Sequence, residues 1–322
     1  MFMRTLLVTL FLCSIATFSQ GQTWPNKPIK LIVGTASGGG PDAIARVIAV
    51  RMGERLGQSV IVELKPGGSG QIASEYVATS PADGYTWLLT TTMIQSIIPQ
   101  LKKQLPYDPV KDFYPVSLIG TTANVLVVGK HLGVGNASQF VSLVKSKPGK
   151  MTFGSAGVGS PAHLAGELFA ASVGVPMTHI SYKGATQALT DIAGGQVDMI
   201  ITSPSAAKTL ANGGKVLILA TTGLKRDPTN PQLPPLSEVL PGFEITQWWG
   251  VMIRSGTPKL ISDRIYSELA ATLNEPKMKD QLAAQGGIAQ SMESIAFGNF
   301  IQKERNRYAD IMRTANITAD NL

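Results

Sequence analysis

The sequence predicts an α/β protein made of two units, with parallel strands covered by helices. Three observations predict it. Short β-branched apolar runs alternate with amphipathic helical stretches along most of the chain. Two of those runs end in glycine-rich loops that open helices, and a proline-rich connection from Asp227-Pro228 to Pro241-Gly242 precedes an aromatic strand and the closing helices.

In order, Ile29 to Val33 reads as a buried strand, and Ile44, Val47, Ile48, Met52 and Leu56 recur at helical spacing over 41–56 until Gly57 closes the helix. Val60-Ile61-Val62 is the next strand. Ile72, Tyr76 and Val77 mark a helix ending before Pro81-Ala82-Asp83-Gly84, and Tyr85 to Thr92 is a third strand, so the opening third is β-α-β-α-β. Asn124 to Gly129 begins the second unit as a strand, followed by a helix over 137–146 and the strand Met151-Thr152-Phe153. A glycine loop then opens a helix with Leu164, Leu168 and Phe169 on one face. Strands at Thr178 to Ile180, Val197 to Thr202 and Val216 to Thr221 alternate with helices over 185–193 and 204–212. Glu244 to Ile253 is the aromatic strand, and its neighbours Trp248 and Trp249 must face opposite ways, one inward and one near the surface. Helices over 258–273, 276–285 and 294–314 finish the chain.

Composition narrows the class. With 322 residues, 44% hydrophobic and 15% charged, the chain can bury a large core and is not a disordered polymer. Its net charge of +7 is scattered instead of gathered in a Lys/Arg run, which suits weak steering of anions and gives no nucleic-acid footprint. Met1-Phe2-Met3-Arg4, the apolar Leu6 to Ile15 and the polar Ser19-Gln20-Gly21 read as a secretory signal peptide over 1–21. No later run reaches the roughly 18 apolar residues of a membrane helix, so a soluble exported protein is expected. The single cysteine, Cys13, leaves with the leader; neither a disulfide nor a thiolate metal site is expected.

The chemistry concentrates in two loops. In Ile32-Val33-Gly34-Thr35-Ala36-Ser37-Gly38-Gly39-Gly40-Pro41-Asp42 a strand runs through glycines into a helix, the layout of an anion cradle built from backbone N–H groups and a helix N-terminus. Gly154-Ser155-Ala156-Gly157-Val158-Gly159-Ser160 before Pro161 repeats the plan. Two such loops facing each other suit a carboxylate; two ordinary βα turns are the plainer alternative. Asp42 reads as a carboxylate stabilising the first helical turn, not as a ligand contact.

Other motifs carry less. Gly68-Ser69-Gly70-Gln71-Ile72-Ala73 fits a loose dinucleotide fingerprint, but no acidic strand end follows about 20 residues later to hold a ribose. Ser155, Ser160 and His163 suggest nucleophilic catalysis, yet Phe153 and Val158 stand where a nucleophile elbow needs glycine. They suit caps and donors better. His131, His163 and His179 are far apart in sequence, and His163 with Glu167 is the nearest ligand pair, so no metal and no cofactor is expected.

Many linked motifs resemble the Bug family, the TctC-like periplasmic solute receptors of tripartite tricarboxylate transporters. They include Trp24-Pro25-Asn26-Lys27-Pro28-Ile29, Gly38-Gly39 with Asp42 and Ala45-Arg46, Lys65-Pro66-Gly67 and Pro81-Ala82-Asp83-Gly84-Tyr85-Thr86. Leu105-Pro106-Tyr107-Asp108-Pro109, His163-Leu164-Ala165-Gly166-Glu167, Tyr182-Lys183-Gly184, Gly195-Gln196-Val197-Asp198 and Gly256-Thr257-Pro258 continue the match. The resemblance implies a two-domain periplasmic binding protein of type II, with the ligand cleft between two α/β domains. Domain one would comprise 22–123 and 247–322, and domain two 124–246, with crossings near Thr121 to Asn124 and within 223–247. It implies no catalysis: a monomeric periplasmic receptor takes up a small organic carboxylate and passes it to membrane permease subunits. A sensor presenting the same complex to a signalling partner is the alternative. The implied ligand-binding residues are Thr35, Ala36, Ser37, Gly38, Gly39, Thr91, Thr92, Ser155, Gly157, Ser160, His163, Thr202 and Ser203. Where the family has Pro-Phe-Pro, this chain has Gly34-Thr35-Ala36 and then Ser37, which implies a roomier or more polar wall.

Overall fold

The computed structural model describes residues 24–38, 40–102, 104–226, 230–314 and 317. The expected signal peptide and Gly39 therefore lie outside the described residues. The first part of the chain is β1 (Ile29–Val33), α1 (Gly40–Leu56), β2 (Val60–Leu64), α2 (Gln71–Ala78) and β3 (Thr86–Thr91). A π-helical turn, Met93–Ile97, leads into the short α3 (Ile98–Leu101) and then β4 (Phe113–Ala123). The second part is β5 (Val125–Gly129), α4 (Ala137–Ser146), β6 (Thr152–Ser155), α5 (Pro161–Val173), β7 (Thr178–Ser181), α6 (Ala185–Ala193), β8 (Met199–Thr202), α7 (Pro204–Asn212) and β9 (Val216–Thr221). The chain ends with β10 (Thr246–Arg254), α8 (Lys259–Asn274), α9 (Pro276–Ala284), β11 (Ile288–Ala289) and α10 (Ser294–Thr314).

These strands form two sheets, ordered β11-β4-β10-β3-β1-β2 and β7-β6-β8-β5-β9. Strands joined through a helix, β1 with β2 and β6 with β7 and β8, are parallel as the alternating pattern predicts, and β1 also pairs parallel with β3. Strands that arrive from the other sheet run the opposite way. Thus β10 is antiparallel to β3 and β4, and β5 is antiparallel to β8 and β9, so both sheets are mixed.

The long strand β4 has no counterpart in the sequence reading, and it carries Pro115 and Gly120, residues unusual in a central strand. The register explains the exception. Pro115 sits opposite Met252 at an irregularity of the β4–β10 ladder, and β11 pairs β4 only at Gly120 and Thr121, so the missing N–H breaks no regular ladder. The tryptophans also correct an expectation: Trp248 and Trp249 face opposite sides of β10, but both are buried because helices cover both faces. Trp248 meets Phe297 of α10 edge-on at 5.7 Å, while Trp249 packs with Val251 and Ile265 in another cluster.

Between the sheets the chain crosses at Asn124, which separates β4 from β5, and returns past Thr222 to Ile245. Helix α10 spans the junction. Its first half buries Phe297 and Ile301 beside Leu118, and its second half buries Tyr308, Ile311 and Met312 among Phe169, Phe243 and Leu126 of the second sheet's core.

Candidate functional site

A cleft of about 220 Å³ lies between the sheets. From the first sheet's side come Gly40, Pro41, Thr122, Gln247, Trp249 and Gln285; from the second come Ala156, Ser160, Pro161, Ala162, Ala185, Ile201, Thr202, Ser203 and Ser205, with Asn124 at the crossing. None of these is a lysine, arginine, histidine, aspartate or glutamate.

Positive potential has a different source. Four helices begin at the cleft: α1 at Gly40 and Pro41, α5 at Pro161 and Ala162, α6 at Ala185, and α7 beside Ser203 and Ser205. Each start carries roughly half a positive charge and unpaired N–H groups. Ser160 and Ser203 cap α5 and α7, their Oγ atoms accepting from the N–H of His163 and Ala206, each at 3.3 Å. Pro161 and Pro204 follow at the first helical position, where no donor is needed. What is left uncapped is the N–H of Ala162 and of Ser205, and both residues line the cleft. Two donors on rigid helix starts, with serine hydroxyls alongside, can hold the oxygens of an anion without a cationic side chain.

The first loop contributes less than its glycines suggest. Asp42 is buried, accepts the Gly38 N–H at 2.9 Å and pairs with Arg46 at 2.8 Å, so one loop amide is already used and the carboxylate steadies the helix start as read from the sequence. Gly38 has φ +83°, a conformation that favours glycine. Ala36, Ser37 and Gly38 are exposed and do not line the cleft, and Thr35 keeps a buried hydroxyl without a partner among the described residues. Thr91 and Thr92 hold structure instead: the Thr91 hydroxyl accepts from Ile94 N–H at 3.4 Å, and the Thr92 hydroxyl accepts from Trp248 N–H at 2.9 Å.

Ser155, Gly157 and His163 lie behind the second loop and brace it. Ser155 Oγ is 2.7 Å from His179 Nε2 and accepts the Gly157 N–H at 3.1 Å. His163 Nδ1 accepts the Gly159 N–H at 3.1 Å, and its ring stacks on His179 with centroids 3.9 Å apart. Burial and the neighbouring His163 hold the His179 pKa down at about 4. A serine–histidine pair thus exists, but Ser155 is fully buried and offers a substrate no approach. Of the sequence-derived candidates, the cleft brings together Ser160, Thr202 and Ser203. Sequence reasoning missed Thr122, Asn124, Gln247, Trp249 and Gln285; the polar Thr121 to Asn124 step between two apolar strands was the available signal. Among the described residues no group of three or more His, Cys, Asp or Glu is arranged to hold a metal.

A family model described as the tripartite tricarboxylate transporter family receptor, TctC, matches residues 44–317. The chain belongs to the TctC family. Within it, the chain is 31% identical to the protein BugT of Bordetella pertussis, over 93% of this chain and 92% of BugT. The solved structure of R. palustris Rpa4515 with adipate superposes with a TM-score of 0.80 at 34% identity, covering 91% of this chain and 98% of the other. MatC from Rhodopseudomonas palustris with bound malate gives 0.74 at 28% identity, covering 89% and 99%. The fold is accordingly that of the two-domain periplasmic binding proteins. No helix of the described residues is long and apolar enough to cross a membrane.

Proposed function

We propose that this chain is a periplasmic receptor that captures a small organic carboxylate in the cleft and delivers it to the permease subunits of a tripartite tricarboxylate-type transporter. The convergence of four helix starts on a cleft lined by no charged side chain carries the reading. The small volume favours a compact acid, below the usual small-molecule cleft of about 300 Å³ or more. Adipate and malate in the related structures support a dicarboxylate of similar length. The two lobes, residues 22–123 with 247–322 and residues 124–246, hinge at Asn124 and Thr222, and α10 limits the opening because it packs against both cores.

Native mass spectrometry of the purified protein, followed by calorimetry with adipate, malate and citrate, tests this. One acid per monomer is expected. A protein that carries no acid and takes up none of the three overturns the reading, and turnover of a bound acid would mark an enzyme instead.

A further inference from the structure

On the far flank of α7 lies a second cavity, of about 530 Å³, which the carboxylate reading leaves unused. Only one helix start reaches it, so it is not another version of the cleft. Its floor is apolar, with Val125, Ile218 and Leu233, and the end of α9 closes it from the first sheet's side. Its rim is polar and carries a single charge, Lys208, which forms no ion pair among the described residues. No aspartate or glutamate lines it. Thr221 also lines it, and the buried Thr221 hydroxyl has no hydrogen-bond partner among the described residues.

We propose that this cavity is a second ligand site, for a monoanionic organic acid with an apolar body. The apolar floor removes the body from water, and Lys208 meets one carboxylate at the rim. A dicarboxylate fits badly, because its second charge would be desolvated with no cation to receive it. An amine is repelled by Lys208. The walls come from both sheets, so an occupant touches both lobes at once.

Octanoate is the probe, titrated into the full chain with methyl NMR as the readout. The methyls of Ile218 and Leu233 report on this cavity and that of Ile201 on the cleft. Saturable shifts at Ile218 and Leu233 are expected, weakened about tenfold or more by Lys208→Glu. Ala284→Trp, which fills the cavity from an exposed position, should abolish them. Both variants should melt like the parent. Malate should move Ile201, and its affinity should be indifferent to Lys208→Glu and Ala284→Trp, which separates the two sites. Octanoate shifts confined to Ile201, no shift at Ile218 and Leu233, or shifts indifferent to both variants would each overturn the second site. If no acid moves Ile201 while octanoate still moves Ile218, the cleft reading fails and this one stands.

Discussion

Asn124 and Thr222, one on each connection between the sheets, clasp each other: the Asn124 N–H donates to Thr222 Oγ1 at 2.8 Å, the Thr222 N–H donates to the Asn124 carbonyl at 2.9 Å, and the Thr222 hydroxyl lies 3.2 Å from that same carbonyl. The same hydroxyl donates to the Ile245 carbonyl at 2.6 Å, and Gln247 Nε2 donates to Asn124 Oδ1 at 3.0 Å. The two crossings are thereby one hydrogen-bonded unit.

Thr222→Val keeps the shape and removes the hydroxyl, leaving the buried Asn124 N–H without its acceptor. An unpaired buried donor costs about 1–3 kcal/mol. Urea unfolding should show a loss of that size. A variant as stable as the parent would mean that water or backbone movement replaces the bond and that the clasp is incidental.

Ser160 and Ser155 separate contact from support. Ser160→Ala removes a cleft hydroxyl and should weaken acid binding by about 1–3 kcal/mol, with about 1 kcal/mol of stability lost with the cap. Ser155→Ala should act on stability first, since Ser155 Oγ is spent on His179 and Gly157. Calorimetry and melting on both variants decide it. Equal binding losses with no stability change in Ser155→Ala would place its hydroxyl on the ligand.

His179 gives the protein an acid sensitivity whose sign follows from burial. Its pKa falls from 6.5 in the unfolded chain to about 4, so above pH 6.5 the ring is neutral in both states and its stabilising effect is complete. As pH falls from 6.5 toward 4 the unfolded chain takes the proton first, and up to about 3 kcal/mol is lost, less the part that solvent screens around a partly buried ring. His179→Gln should flatten stability across that window relative to the parent. Parallel pH curves for the two proteins would remove His179 as the cause.

The legibility of the chain follows the range of the interactions. Helical spacing at Ile44, Ile48 and Met52 and the Ser160-Pro161 and Ser203-Pro204 starts are local, and each appears where the residues place it. Thr122, Gln247 and Trp249 reach the cleft only because β4 and β10 pair with Gln247 opposite Thr122, a register between residues far apart in sequence. No local pattern encodes it. Strand β4 is hidden for the converse reason: Pro115 is locally unfavourable in a strand, and only the irregularity of the β4–β10 ladder accommodates it. The histidines likewise looked too distant to interact, until parallel pairing of β6 with β7 brought His179 onto Phe153 and His163.

Gly40 offers the most direct test of the helix-start argument. It lines the cleft at the beginning of α1, and an added Cβ there would meet nothing within 4 Å. Its φ lies outside the left-handed range in which a side chain is strained, so Gly40→Val should fold and melt like the parent. The branched side chain would stand at the cleft wall beside the first turn of α1, in the way of an anion held there. Binding should weaken by at least about tenfold, or 1.4 kcal/mol. Gly40→Ala, with a single methyl, should fall between the two. A valine variant that melts normally and binds adipate or malate as the parent does would mean that the acid rests on α5, α6 and α7 alone, and that the first glycine loop shapes the wall without touching the ligand.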